Sequence, residues 1–176
     1  MRGGKSGNCL MNVFLTGNVQ VGKSTAISRF IESGGYEPLG FRTKIDRDTG
    51  SLMMEVIGNN KTDRFEVASR GVGVNYPIPD IAAFDRAGEL IRAADTSECG
   101  LFLMDELGYM ERNAEVFKSA VEEVLDRGVK TVGVLRNRPD GPFWKMIHGR
   151  SDTVVITVTE ENREDIPDII KENFNK

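Results

Sequence analysis

The sequence predicts an α/β fold: a mainly parallel sheet flanked by helices on both faces, with a small antiparallel β insertion. Three observations carry this. Short continuous apolar runs, of the kind buried on both faces, recur at 12–15, 101–104, 129–135 and 153–158. Between them lie longer segments with apolar residues at helical spacing. One stretch, 41–68, instead reads as strands joined by tight turns.

Residues 1–10 hold three glycines with Lys5, Ser6 and Asn8 and no apolar period, so a flexible lead-in is expected there and one domain over 11–176. Met11 is a candidate native start. The first apolar run ends at Thr16-Gly17. A helix follows over 24–33, with Ile27, Phe30 and Ile31 on one face and Gly34-Gly35 as its stop. Strands at 41–46 and 51–57 flank Arg47-Asp48-Thr49-Gly50, whose Asp and Gly signal a turn. A second turn at Asn59-Asn60 leads to a third strand at 64–68, which completes a three-strand meander. Ile81, Phe84, Leu90, Ile91 and Ala94 mark a helix. Val116, Phe117, Ala120, Val121, Val124 and Leu125 mark another, ending at Gly128. Pro142 and the apolar Met146 and Ile147 favour helix packing for Phe143-Trp144 over stacking on a base. Pro167 lies in the first turn of the last helix, whose stripe is Ile166, Ile169, Ile170 and Phe174.

Composition excludes several function classes. A chain of 176 residues can bury a substantial core without staples. With 23 basic against 27 acidic residues the net charge is −4, which is not the footprint of a nucleic-acid binder. No apolar stretch approaches the ~20 residues of a membrane span, and no signal-peptide pattern opens the chain. Cys9 and Cys99 supply neither a disulfide framework nor a four-ligand zinc site, so a cytoplasmic location is expected. His148, the one histidine, has no Cys or His partner in sequence and reads as a surface residue. The 19 glycines, about 11% against a usual ~7%, ask where backbone must come close to something.

One answer is Gly17-Asn18-Val19-Gln20-Val21-Gly22-Lys23-Ser24, which fits G-x-x-x-x-G-K-[ST] and continues into Thr25. Gly17 and Gly22 let the backbone curl and aim N–H groups at phosphate oxygens. The loop feeds a helix N-terminus, whose free donors and dipole favour an anion. Lys23 can reach the β- and γ-phosphates, and the Ser24 hydroxyl can sit on Mg²⁺. The position between an apolar strand and an amphipathic helix separates it from an ordinary βα turn. Gly3-Gly4-Lys5-Ser6 has neither neighbour and reads as inert.

The run at 101–104 ends in Asp105-Glu106, a Walker B arrangement. A parallel strand delivers Asp105 to the carboxyl edge beside the phosphate loop, where it can hold Mg²⁺, and Glu106 is then placed to activate water. The plain alternative is a solvated helix N-terminus. Asp105-Glu106-Leu107-Gly108 and Asn137-Arg138-Pro139-Asp140 echo guanine-switch strings. Arg138 replaces the lysine of that pattern, and Asn137 follows the very next strand, which is the wrong order for such a switch.

With these motifs in place the chain resembles the THEP1 family of nucleoside-triphosphatases, also called cancer-related NTPases in animals. The resemblance is carried by the opening strand and loop through Thr25, by Gly40-Phe41-Arg42-Thr43, and by Val72-Gly73 with Tyr76 and Phe84. It continues in Asp105-Glu106-Leu107-Gly108-Tyr109-Met110-Glu111 with Phe117 and Ala120-Val121, and in Val158-Thr159-Glu160-Glu161-Asn162-Arg163 with Pro167. It implies a RecA-like core of the ASCE class that slowly hydrolyses several nucleoside triphosphates with Mg²⁺. Four features depart from the family: Gln20 where a glycine is frequent, Lys44 in place of an acidic residue, a V-G-x-Y segment wider by one, and Arg136-Asn137 in place of small or hydroxyl residues.

The expected activity is hydrolysis of the β–γ bond of ATP, GTP and other nucleoside triphosphates. Gly17 to Thr25 bind the phosphates, Lys23 acts on them, Ser24 and Asp105 hold Mg²⁺, and Glu106 is the base. Arg42, Arg70, Arg136 and Arg138 are candidate suppliers of a further cation, against a plain reading as surface or ion-paired arginines; Asn137 is a candidate sensor of phosphate or water, against a turn former. The alternatives are a small-molecule or nucleotide kinase on the same fold, or a nucleotide-dependent interaction module. No protein partner is named by any motif.

Overall fold

The computed structural model describes residues 11–71 and 76–175; the expected lead-in with its Gly-Lys-Ser string, and Val72-Gly73, lie outside them. The chain runs β1 (Asn12–Thr16), α1 (Lys23–Gly34), β2 (Leu39–Ile45), β3 (Leu52–Ile57), β4 (Thr62–Ser69), β5 (Ile78–Pro79), α2 (Ile81–Ala93) and β6 (Phe102–Leu107). A single 3₁₀ turn, Met110–Asn113, then leads to α3 (Glu115–Asp126), β7 (Thr131–Leu135), α4 (Pro142–His148), β8 (Thr153–Thr157) and α5 (Ile166–Phe174). The strands form one sheet in the order β5-β4-β3-β2-β6-β7-β1-β8. From β2 to β8 every pairing is parallel, and from β2 out to β5 every pairing is antiparallel.

The insertion therefore differs from the expected meander in two ways. Its first strand, β2, belongs to both halves: it pairs in parallel with β6 from Leu39↔Phe102 to Arg42↔Asp105 and antiparallel with β3 on its other edge. Gly40 permits this approach, because at φ +124° an added Cβ would lie 2.0 Å from the Leu103 carbonyl oxygen. A fourth outer strand, β5, has only two residues, one of them Pro79. So short an edge strand carries no alternation to read, and proline is tolerated there because an edge N–H has no ladder partner.

Alternating side chains divide the core into two layers. Val13, Leu15, Leu103, Val132 and Val134 face α1 and α5, meeting Ile27, Phe30, Ile170 and Phe174. Phe14, Phe102 and Met104 face the other way, toward Phe84 of α2, Phe117 of α3 and Phe143 of α4. Helices thus cover both faces; β1 and β7, inside the parallel block, are buried throughout as their continuous apolar runs require, whereas β8, at the edge of the sheet, is only partly buried. Among the described residues no helix is long and apolar enough to cross a membrane. The parallel strands all end on one edge, where Thr16, Leu107 and Leu135 give way to loops, and crevices at that edge are where open α/β sheets bind ligands.

Candidate active site

The loop 17–22 is fixed from three directions. Gly17 has φ +132°, and an added Cβ would lie 2.5 Å from the Val158 carbonyl oxygen, so only glycine fits between the loop and the segment after β8. Val21 is buried among the side chains beneath α1, while Val19 at the tip is 74% exposed. Gly22 caps α1 in the left-handed region, and the Ala26 amide donates to its carbonyl. Gln20, at φ +61°, is the one non-glycine with positive φ among the described residues. Asn18 is exposed like its neighbours Val19 and Gln20, and Ser24 and Thr25 occupy the exposed first turn of α1.

The Lys23 ammonium folds back over this loop, donating to the carbonyls of Gly17 at 3.1 Å and Asn18 at 2.6 Å. Burial pulls its pKa below the ordinary lysine value; Glu106 opposes that shift, Arg136 adds to it and Asp105 opposes it. The Ser24 hydroxyl donates to Asp105 Oδ1 at 3.0 Å, joining the loop to the acidic end of β6. Burial raises the Asp105 carboxyl to about 6, partly offset by the Ser24 hydrogen bond.

At Asp105 the pairing of β6 with β7 slips. Met104 lies opposite Gly133, yet Leu107 lies opposite Leu135, so β6 carries one extra residue across Asp105-Glu106. Such a bulge re-aims side chains at a sheet edge. Thr43 on β2 pins it, with its hydroxyl donating to the Asp105 carbonyl and accepting from the Glu106 amide, each at 3.2 Å. The Glu106 carboxylate pairs with Arg136, Nη1 to Oε1 at 3.4 Å. Behind it Glu111 is buried, with Oε1 accepting from the Gly108 amide at 3.2 Å and Oε2 without a partner. Burial pushes Glu111 up to about 7.

Lys23, Ser24, Asp105 and Glu106 thus come together at one point of the carboxyl edge. Arg42, opposite Asp105 in register, contributes charge there. Arg70 follows β4, two strands further out, with its stem along Gly50 of the β2–β3 turn. Asn137 is exposed in the loop after β7. Arg138 pairs with Asp140 and lies over the Tyr109 ring. Sequence reasoning gave no role to Thr43, Glu111 or the wall built by 158–163. In that wall the Thr159 amide donates to Asn162 Oδ1 and the Asn162 amide to Thr159 Oγ1, while the Arg163 stem passes Gly22. The signal was present as the strings 105–111 and 158–163, whose polar residues exceed what a plain turn needs.

The oxygens of Ser24 and Asp105 are hard donors of the type magnesium takes. Among the described residues no group of three or more His, Cys, Asp or Glu could cage a metal. A cavity of about 520 Å³ opens at the opposite edge of the sheet, beside Tyr36, Cys99 and Lys130, but no carboxylate lines it.

A family model described as NTPase matches residues 12–171. The nucleoside-triphosphatase THEP1 of Aquifex aeolicus is 30% identical over 170 residues, spanning 88% of this chain and 93% of that protein. The nucleoside-triphosphatases THEP1 of Natranaerobius thermophilus and Methanosarcina acetivorans are 27% and 28% identical, over 89% and 94% of this chain and 92% and 97% of their own lengths. The crystal structure of THEP1 from the hyperthermophile Aquifex aeolicus matches the fold with a TM-score of 0.75 at 24% identity, covering 94% of this chain and all of that one.

Proposed function

This chain belongs to the THEP1 family of nucleoside-triphosphatases, and from that premise we propose that it cleaves the β–γ bond of nucleoside triphosphates such as ATP and GTP with Mg²⁺ and little base preference. The observation that carries the proposal is the Ser24–Asp105 hydrogen bond, which joins phosphate loop and acidic strand end across 81 residues of sequence.

The amides of Gly17 to Thr25 and the N-terminus of α1 receive the phosphates. Lys23 exchanges the Gly17 and Asn18 carbonyls for phosphate oxygens, a move favoured by the larger negative charge. Ser24 and Asp105 would hold Mg²⁺, which when bound neutralises charge on the β- and γ-phosphate oxygens. Glu106 accepts a proton from the attacking water. The water oxygen bonds to the γ-phosphorus, the bond to the bridging oxygen breaks, and that oxygen leaves with the electron pair on the diphosphate. Broad base tolerance is supported by the failure of the guanine-reading string, whose Arg138 is occupied by Asp140 and Tyr109.

The test is phosphate release across the common nucleoside triphosphates. Glu106→Gln should retain nucleotide binding and lose turnover by about 10²-fold or more, whereas Lys23→Ala should weaken binding itself. Near-normal hydrolysis by Glu106→Gln would remove the base assignment.

A further inference from the structure

Arg136 follows β7 directly, and its amide donates to the Leu107 carbonyl at 2.9 Å. Its root is therefore tied to the strand that carries Glu106. The stem passes Gly108, where a Cβ would lie 3.7 Å from Arg136 Cδ and 3.6 Å from Glu111 Oε2. The guanidinium ends against Glu106 at 3.4 Å, longer than the ~2.7–2.9 Å of a well-made charged hydrogen bond, with the Arg136 side chain 45% exposed. Little beyond Coulomb attraction holds this pair in place.

Other arginines on this edge are differently engaged. Arg138 pairs with Asp140, Arg112 lies over Tyr109, and Arg163 pairs with Glu164. Among the described residues the salt-bridge partner of Arg136 is Glu106, the residue assigned as base. The charge of Arg136 is also felt at Lys23, so the guanidinium lies within electrostatic reach of the lysine of the phosphate loop.

We propose that Arg136 is a catalytic cation: a bound γ-phosphate competes with Glu106 for its guanidinium, and the exchange both neutralises the transferring phosphoryl group and frees a Glu106 oxygen to accept the water proton. The proposal rests on the hydrolytic reading above. The exchange is downhill because phosphate carries more charge than a carboxylate and offers a guanidinium two parallel acceptors. It also couples the two events, since Oε1 of Glu106 gives up its Arg136 partner when a γ-phosphate is present. Diphosphate offers no γ-oxygens and leaves the Arg136–Glu106 pair intact.

The experiment compares wild type, Arg136→Ala and Arg136→Lys for phosphate release and for affinity toward a nucleoside diphosphate and a non-hydrolysable triphosphate analogue. Arg136→Ala should lose about 10³-fold in kcat, in the range of a supplied arginine, weaken for the analogue, and hold the diphosphate within about twofold. Millimolar guanidinium should restore part of its turnover, which no structural ion pair would allow. Arg136→Lys, keeping the charge without the planar fork, should fall between the two and carries the test if Arg136→Ala does not fold. Unchanged or raised kcat in Arg136→Ala would overturn the proposal, because a purely masking arginine predicts release of Glu106. A Glu106→Gln control in the same assay separates the two claims: its loss of turnover upholds the hydrolytic reading whatever Arg136 does, and normal turnover there removes both.

Discussion

Glu111 is a carboxyl group enclosed behind Glu106, with one oxygen on the Gly108 amide and the other unpartnered. Burial raises it from an ordinary 4.5 to about 7, with the nearby Glu106 charge adding to the shift. Between those two values the unfolded chain has released this proton while the folded protein still holds it. The folded state then binds more protons, and stability falls as pH rises through the window. Above about 7 both states are ionised and the full penalty is present; below about 4.5 there is none. Glu111→Gln keeps an acceptor for Gly108 and cannot ionise. Urea unfolding should therefore show the variant close to wild type near pH 4.5 and more stable by up to about 3 kcal/mol above pH 7. A difference that does not change with pH would show that Glu111 is not titrating in this range. The sequence placed Glu111 in a string with Asp105 and Glu106 but could not show it buried, because burial here comes from the 3₁₀ turn folding back under Gly108.

Among the elements, α2 and α3 pack unusually closely, and one glycine sets their separation. A Cβ on Gly88 would lie 2.7 Å from the Phe117 backbone nitrogen and Cα. Helix propensity alone says Ala should replace mid-helix Gly with a gain of about 1 kcal/mol. Overpacking against backbone costs about 1–3 kcal/mol, and backbone cannot rotate away as a side chain can. Gly88→Ala should therefore lower stability by up to about 2 kcal/mol in a denaturant melt; a stabilised variant would mean that the helices move apart freely. The helical spacing of both segments was readable from Phe84, Ile91, Phe117 and Val121. The contact between them was not, since period fixes which face is apolar and says nothing about what meets it. The strand β6 teaches the same lesson. Its apolar run ends at Met104 in sequence, yet the strand continues to Leu107 because Thr43 and the β7 register hold the bulged residues in the sheet.

Across the whole molecule, Phe117 joins elements that are distant in sequence. Its ring meets Phe41 at 5.3 Å, Phe84 at 5.7 Å and Phe143 at 6.2 Å, all edge-on, linking β2, α2, α3 and α4. Phe117→Ala should cost about 3–5 kcal/mol, with the denaturant slope retained if the fold survives. Because the cluster backs the sheet at Phe41, next to Arg42 and Thr43, turnover should fall along with stability even though no atom of Phe117 reaches the site.

The sequence alone determined the alternation of buried strands with amphipathic helices, and it located the phosphate loop and the acidic strand end, because side-chain period and glycine spacing are local properties of the chain. It also carried the family, in the strings 105–111 and 158–163. Tertiary structure alone decided that β2 would join the parallel block through Gly40, that Thr43 would pin the bulge, and that Arg136 rather than Arg70 or Arg138 would lie against Glu106. Each of those outcomes depends on strand order and on a register between residues tens of positions apart. Such pairings are selected by the free energy of the whole packed sheet, and no local pattern encodes them.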